Sequence, residues 1–92
     1  MDRILKANGE ILEISPKNGK DYSLEELRDI VDGYIEIVFD KTRESIMVVN
    51  EEGKLYNLPF NTNATRWMND NTYHIDDYVV GDALVCDRNH VK

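Results

Sequence analysis

Five polar residues make up the one constellation in this chain with chemical potential: Glu36, Asn50, Glu51, Asn61 and Thr65. Glu36 interrupts the otherwise apolar run from Tyr34 to Phe39. A carboxylate there must be exposed, paired or functional, because an unpaired charge is too costly to leave in a core. Asn61 and Thr65 are four apart and share a face if their segment is helical. A strand carboxylate facing an Asn and a Thr could hydrogen-bond a small polar ligand, so the five are the candidate ligand-binding set. Each residue also has a plainer role open to it. Asn61 can cap a helix, Asn50 can hold a turn beside Glu51, and Glu36 can face solvent. An enzyme would need Glu36 or Glu51 as general base, yet no second matched group accompanies either, so no catalytic residue is assigned.

Other chemistries have less to stand on. His74 and His90 are the only histidines and lie far apart in sequence, and one cysteine cannot build a thiolate site. Asp76 and Asp77 are adjacent, which on a strand points them to opposite faces. The expectation is no metal and no cofactor. The five glycines are scattered, with no phosphate-binding loop pattern. Cys86 follows Leu84-Val85, which reads as a buried strand position where a thiol is usually inert, and it has no upstream basic partner in sequence to activate it. Trp67 and Met68 invite a binding-surface reading, but Trp67 is more often core or core edge than interface hot spot. Tyr22, Tyr34, Tyr56, Tyr73 and Tyr78 form an aromatic patch if several share one sheet face.

These residues depend on the elements that place them. Arg3–Ala7 and Glu10–Ile14 are short apolar-rich segments flanking Asn8-Gly9, the preferred pair for a two-residue type I′ hairpin turn. Ser15 to Gly19 stops the second strand. Ser23-Leu24-Glu25-Glu26 is a capping-box signature. Leu24, Leu27, Ile30 and Val31 follow at helical spacing, and Asp32-Gly33 ends the helix with Gly33 as the expected left-handed cap. Tyr34 to Phe39 reads as a strand, with Tyr34, Glu36 and Val38 on one face and Ile35, Ile37 and Phe39 on the other. Asp40 to Ser45 is a polar connection. Ile46 to Val49 then reads as strand, Glu51-Glu52-Gly53 as turn, and Lys54 to Asn57 as a strand pairing back. Asn61 to Asn71 is a short helix carrying Ala64, Trp67 and Met68, with Asn61 or Thr62 as cap. Tyr78 to Val80 and Ala83 to Cys86 read as strand on both sides of Gly81-Asp82, with Gly81 marking a bulge or turn. The expected fold is α+β: one domain over residues 1–92, with about five or six strands, mostly antiparallel, and two helices.

Composition narrows the function classes. A chain of 92 residues with 41% hydrophobic content buries roughly two-thirds of its surface on folding, enough for one modest core. The net charge of −7 opposes direct nucleic-acid binding, which depends on neutralising phosphates, and opposes docking on an anionic membrane. Such a surface serves solubility, or less plainly mimics nucleic acid toward a DNA-binding partner. A single cysteine excludes an internal disulfide. The absence of an apolar run near 18 residues, and a start without a signal-peptide core, lead to the expectation of a cytoplasmic protein.

With these segments in place, the chain resembles a family catalogued as domain of unknown function 3846. The matching pieces are Leu24-Glu25-Glu26-Leu27, Gly33-Tyr34-Ile35-Glu36 and Val49-Asn50-Glu51-Glu52-Gly53-Lys54, followed by Leu58-Pro59, Asn61, Ala64-Thr65 and Val80-Gly81-Asp82-Ala83-Leu84-Val85. They span residues 3 to 87 or so. The resemblance implies an association with phages, plasmids and other mobile elements, and it brings no assigned activity.

The expected function is that of a non-enzymatic accessory protein of such an element, acting by binding a host or element-encoded protein partner. The alternative is a small-ligand protein that binds or sequesters a nucleotide or metabolite in a pocket near Glu36, Asn61 and Thr65. Homodimerisation through an exposed sheet edge is compatible with either.

Overall fold

The structure, a computed structural model, describes residues 2–91. In chain order it comprises β1 (Asp2–Leu5), β2 (Ile11–Ile14), α1 (Leu24–Val31), β3 (Ile35–Phe39), β4 (Ser45–Asn50), α2 (Thr62–Asn71) and β5 (Ala83–Asp87), ending in a 3₁₀ turn at Arg88–His90. The five strands form one sheet in the order β2-β1-β5-β4-β3, and every neighbouring pair is antiparallel. This is the α+β architecture expected from the sequence.

The sheet is covered on both faces, and this decides how its strands read. Ile46, Val48, Leu84 and Cys86 pack with Leu27 and Val31 of α1 and with Tyr22. Their neighbours along the strands, Met47, Val49, Ala83 and Val85, pack on the opposite side with Ala64 and Met68 of α2. β4 and β5 are therefore apolar on both sides, whereas a half-solvated strand would alternate. α1 begins with the full capping box, Ser23 Oγ accepting from the Glu26 N–H and Glu26 accepting from the Ser23 N–H. Its buried residues are Leu27 and Val31, while Leu24 is 58% exposed and lies outside the stripe.

Four local expectations are corrected. The β1–β2 hairpin is present, but its loop holds three residues, Ala7 to Gly9. Lys6 pairs with Glu10 across it, Gly9 takes a φ of 96°, and Asn8 caps the Glu10 amide instead of adopting positive φ. The left-handed cap of α1 is Asp32, at φ 59° and ψ 48°. Gly33 is needed for space instead, since a Cβ there would lie 2.6 Å from the Asn50 amide nitrogen. Lys54 to Asn57 does not pair back on β4, because β3 and β5 already occupy both edges of β4. Residues 51–57 instead wind through consecutive turns, with Asn57 at φ 54°. Tyr78 to Val80 is not a strand; only a single bridge joins Val80 to Phe60.

The two ends of the described chain meet on the α1 face. The buried Tyr22 hydroxyl donates to Asp2 at 2.8 Å, and His90 Nδ1 lies 2.7 Å from the same carboxylate oxygen. Burial, reinforced by the bond to Asp2, pushes the Tyr22 phenol well above its ordinary value. Burial and the charges of Asp2 and Asp87 push the Cys86 thiol from 9.0 to about 12. Both acids are thus neutral when folded and ionise more readily when unfolded. Their contribution is complete below pH 9 and is lost as pH rises. Thermal melts should show stability falling from about pH 9 upward, by at most about 1.4 kcal/mol per pH unit for the thiol. Cys86→Ala should flatten that fall between pH 9 and 10 relative to wild type. An unchanged slope would mean that the thiol does not titrate on unfolding.

Candidate functional site

α2 reaches β3 only at Val38 and does not cover the rest of that strand. What remains on that face is a cleft of about 460 Å³ between β3, the turn after β4 and the segment after α2. Its floor is apolar: Val38, Val49, Met68 and Val79. Glu36 and Glu51 flank one end. The register sets Glu36 beside Val49, and the Glu51 N–H donates to the Tyr34 carbonyl at 2.8 Å, so the two carboxylates are diagonal neighbours. Among the described residues neither takes part in an ion pair.

The same end carries a charged and aromatic rim. Lys54 Nζ bonds Asp77 at 2.5 Å and sits 4.1 Å from the centre of the Tyr78 ring. Tyr78 stacks on Phe60 at 6.0 Å. The Lys54 hydrogen bond, with help from the Tyr78 amide, holds the Asp77 carboxyl below the usual carboxylate range. At the opposite end Lys41 lies 5.4 Å over Tyr73, and its N–H donates to the Asn71 carbonyl at the end of α2. Asp40 is partly desolvated, which acts to raise its pKa, but hydrogen bonds from Thr42 and the following amides win and hold it low. The cleft thus combines an apolar floor, two aromatic walls and charges of both signs, which suits an amphipathic occupant with a cationic group.

Of the five candidate residues, the cleft lining includes Glu36, Asn50 and Glu51. Asn50 lines it while its side chain works elsewhere: Nδ2 donates to the Val31 and Asp32 carbonyls at the end of α1, and Oδ1 accepts from the Glu52 N–H. Asn61 is fully buried away from the cleft. Its Oδ1 accepts from the Ala64 N–H as the cap of α2, and its Nδ2 donates to the carbonyls of Leu5 and Gly81 at 2.7 and 2.8 Å. Thr65 Oγ1 accepts from the Val79 N–H at 2.9 Å and so fastens the cleft wall to α2. The candidate set is therefore divided: two carboxylates face the cleft, and an Asn, an Asn and a Thr secure its frame.

Lys54 and Asp77 were not legible as site residues, because nothing in sequence joins positions 23 apart. The aromatic patch gave a partial signal. Tyr73 and Tyr78 line the cleft, but Tyr22 is core and Tyr34 stacks under Arg28 of α1. Trp67 is half-buried against the α2-side core. Among the described residues no cluster of three His, Cys, Asp or Glu is placed to hold a metal ion.

Residues 2–91 match the family described as Domain of unknown function (DUF3846), and the chain belongs to that family. No curated protein and no solved structure matches it.

The frame can be tested apart from the cleft. Asn61→Ala removes a helix cap and the donations to the buried Leu5 and Gly81 carbonyls, so it should lose about 3 kcal/mol in denaturant titrations. Asn61→Asp keeps the cap but turns a carboxylate toward two carbonyls; its deficit against wild type should be larger at pH 7 than at pH 4.5. Glu36→Gln should change stability by less than about 0.5 kcal/mol. A severe loss in Glu36→Gln would make that residue part of the frame.

Proposed function

Starting from membership of a family whose description assigns no activity, we propose that this chain is a non-enzymatic accessory protein of a phage or other mobile element. It acts by binding a protein partner, and the cleft beside β3 is its recognition face. The observation that carries this reading is the cleft itself: sheet core left open at one end and rimmed by two unpaired carboxylates and exposed aromatic rings. Tyr73 is 80% and Tyr78 46% exposed, and aromatic residues beside an apolar floor are the usual anchors of a protein interface. The mobile-element setting is what the family resemblance implies, the motifs from Leu24-Glu25-Glu26-Leu27 to Val80-Gly81-Asp82-Ala83 carrying only that resemblance. The charge of −7 favours a partner with a basic surface and disfavours nucleic acid. Among the described residues no helix is long and apolar enough to cross a membrane. A cytoplasmic location is part of the proposal.

The cleft volume supports a second reading. About 460 Å³ falls within the usual range of small-molecule sites, so a nucleotide or metabolite is the alternative occupant. Asn61 and Thr65 then act only through the frame, and Glu36 and Glu51 contact the ligand.

Affinity capture with wild type and with Tyr78→Ala/Glu51→Lys decides the first reading. A host or element-encoded protein held by wild type should be lost by the double variant, while its thermal midpoint stays within a few degrees. Equal capture by both would move the interface off the cleft. For the second reading, thermal-shift screening with nucleotides, cyclic dinucleotides and NAD-derived metabolites should reveal about 2.7 kcal/mol of stabilisation at 100 times the dissociation constant. A response that survives in Glu36→Ala/Glu51→Ala would place the ligand elsewhere.

A further inference from the structure

A free strand edge runs along the cleft. β3 pairs only with β4. The Glu51 N–H bonds the Tyr34 carbonyl at 2.8 Å and the Asp40 N–H bonds the Ser45 carbonyl at 3.0 Å. Between these ends Glu36 lies opposite Val49 and Val38 opposite Met47. Bonded pairs recur at every second residue of an antiparallel ladder. The backbone groups of Glu36 and Val38 therefore point to β4, and those of Ile35, Ile37 and Phe39 point outward. Among the described residues no other segment supplies backbone partners to these three.

We propose that this edge receives an extended segment of a protein partner as an added strand, with a basic side chain of that segment set against Glu36. The proposal rests on the reading of the cleft as a protein-recognition face and names how recognition is achieved. Main-chain bonds to Ile35, Ile37 and Phe39 supply attachment, and alternate side chains supply selection. Residues of the incoming strand opposite Glu36 and Val38 occupy the close, non-hydrogen-bonded positions. A lysine or arginine opposite Glu36 meets its carboxylate, with Glu51 a diagonal neighbour. An apolar residue opposite Val38 lies on the cleft floor. The residues between turn to the other face of the sheet, where Phe39, Arg43, Arg88 and Val91 border another, smaller hollow.

Charge selects this occupant over a second copy of the chain. Each copy carries −7. Antiparallel pairing of two β3 strands about Ile37 sets Glu36 of each against Val38 of the other, so both carboxylates stay uncompensated. A charge pointing from an edge strand is a recognised barrier to self-pairing.

The test uses two capped heptapeptides of alternating valine and lysine or valine and glutamate, with amide hydrogen exchange followed by NMR on the full chain. The lysine peptide should slow exchange at Ile35, Ile37 and Phe39 by on the order of tenfold at saturation, while Glu36 and Val38, already bonded, change little. Glu36→Lys should reverse the peptide preference by about tenfold; its melting curve reports whether the fold is intact. If the lysine peptide shifts Tyr73 and Tyr78 resonances without slowing those amides, it lies in the cleft without joining the sheet. Strand addition is then overturned and the cleft reading stands. If the peptide shifts nothing up to its solubility limit, both fail. Protection of the same amides that rises with protein concentration alone, with a dimer in sedimentation, would assign the edge to a second copy and overturn the proposal.

Discussion

A helix end pressed against a sheet leaves backbone groups that neither the helix nor water can satisfy. This structure meets that constraint with two buried asparagines, and most of its geometry follows from them. Asn50, at the end of β4, donates to the last carbonyls of α1 and accepts from the turn that leaves the strand. Asn61 caps the first turn of α2 and donates to carbonyls at the end of β1 and just before β5. Only a side-chain amide offers an acceptor and two donors in so little space, which is why neither Ser nor Asp could replace Asn61 without leaving a carbonyl unmatched. The close fit extends to the backbone around them. A Cβ on Gly33 would collide with the Asn50 amide, and one on Gly81, already at φ 75°, would fall 2.8 Å from Leu58.

The cleft is a by-product of the same fastening. Asn61 and the Thr65–Val79 bonds fix where α2 starts and where the following segment returns. α2 thereby packs mainly over Met47, Val49, Ala83 and Val85, and beyond it the cleft opens along β3. The Lys54–Asp77 pair and the Tyr78–Phe60 stack then close one end of the gap. Exposed ion pairs contribute little to stability, so this one is better understood as shaping the rim. It also occupies Lys54, leaving Glu36 and Glu51 to set the charge on their side of the opening.

Much of this arrangement can be read from the sequence, and the rest cannot for identifiable reasons. α1 announces itself through Ser23 and Glu26 because a capping box is encoded within four consecutive residues. Asn61 is equally local in its capping role. Its contacts to Leu5 and Gly81 are not, since they span 56 and 20 positions. Lys54 to Asn57 looks like a returning strand because Val48 to Leu55 has the pattern of a hairpin. What prevents it is topological: β5 takes the edge of β4 that such a strand would need. The same long-range placement hides the cleft. Its carboxylates come from β3 and the turn after β4, and its aromatic walls from the segment beyond α2, so no window of sequence contains it.

The position of β5 has a consequence for how the chain acquires this structure. β5 is the fifth strand to be synthesised, yet it lies third across the sheet, joining the β1–β2 pair to the β3–β4 pair. Until residues 83–87 are available, the chain holds two separate hairpins, and an isolated two-stranded hairpin is at best marginally stable. Neither core can close in the meantime, because Leu84 and Cys86 belong to one and Ala83 and Val85 to the other. Closure also requires contacts between segments near opposite ends of the described chain, which makes the transition state entropically demanding. The sheet therefore completes only once β5 is available, around a central strand that comes last in sequence of the five.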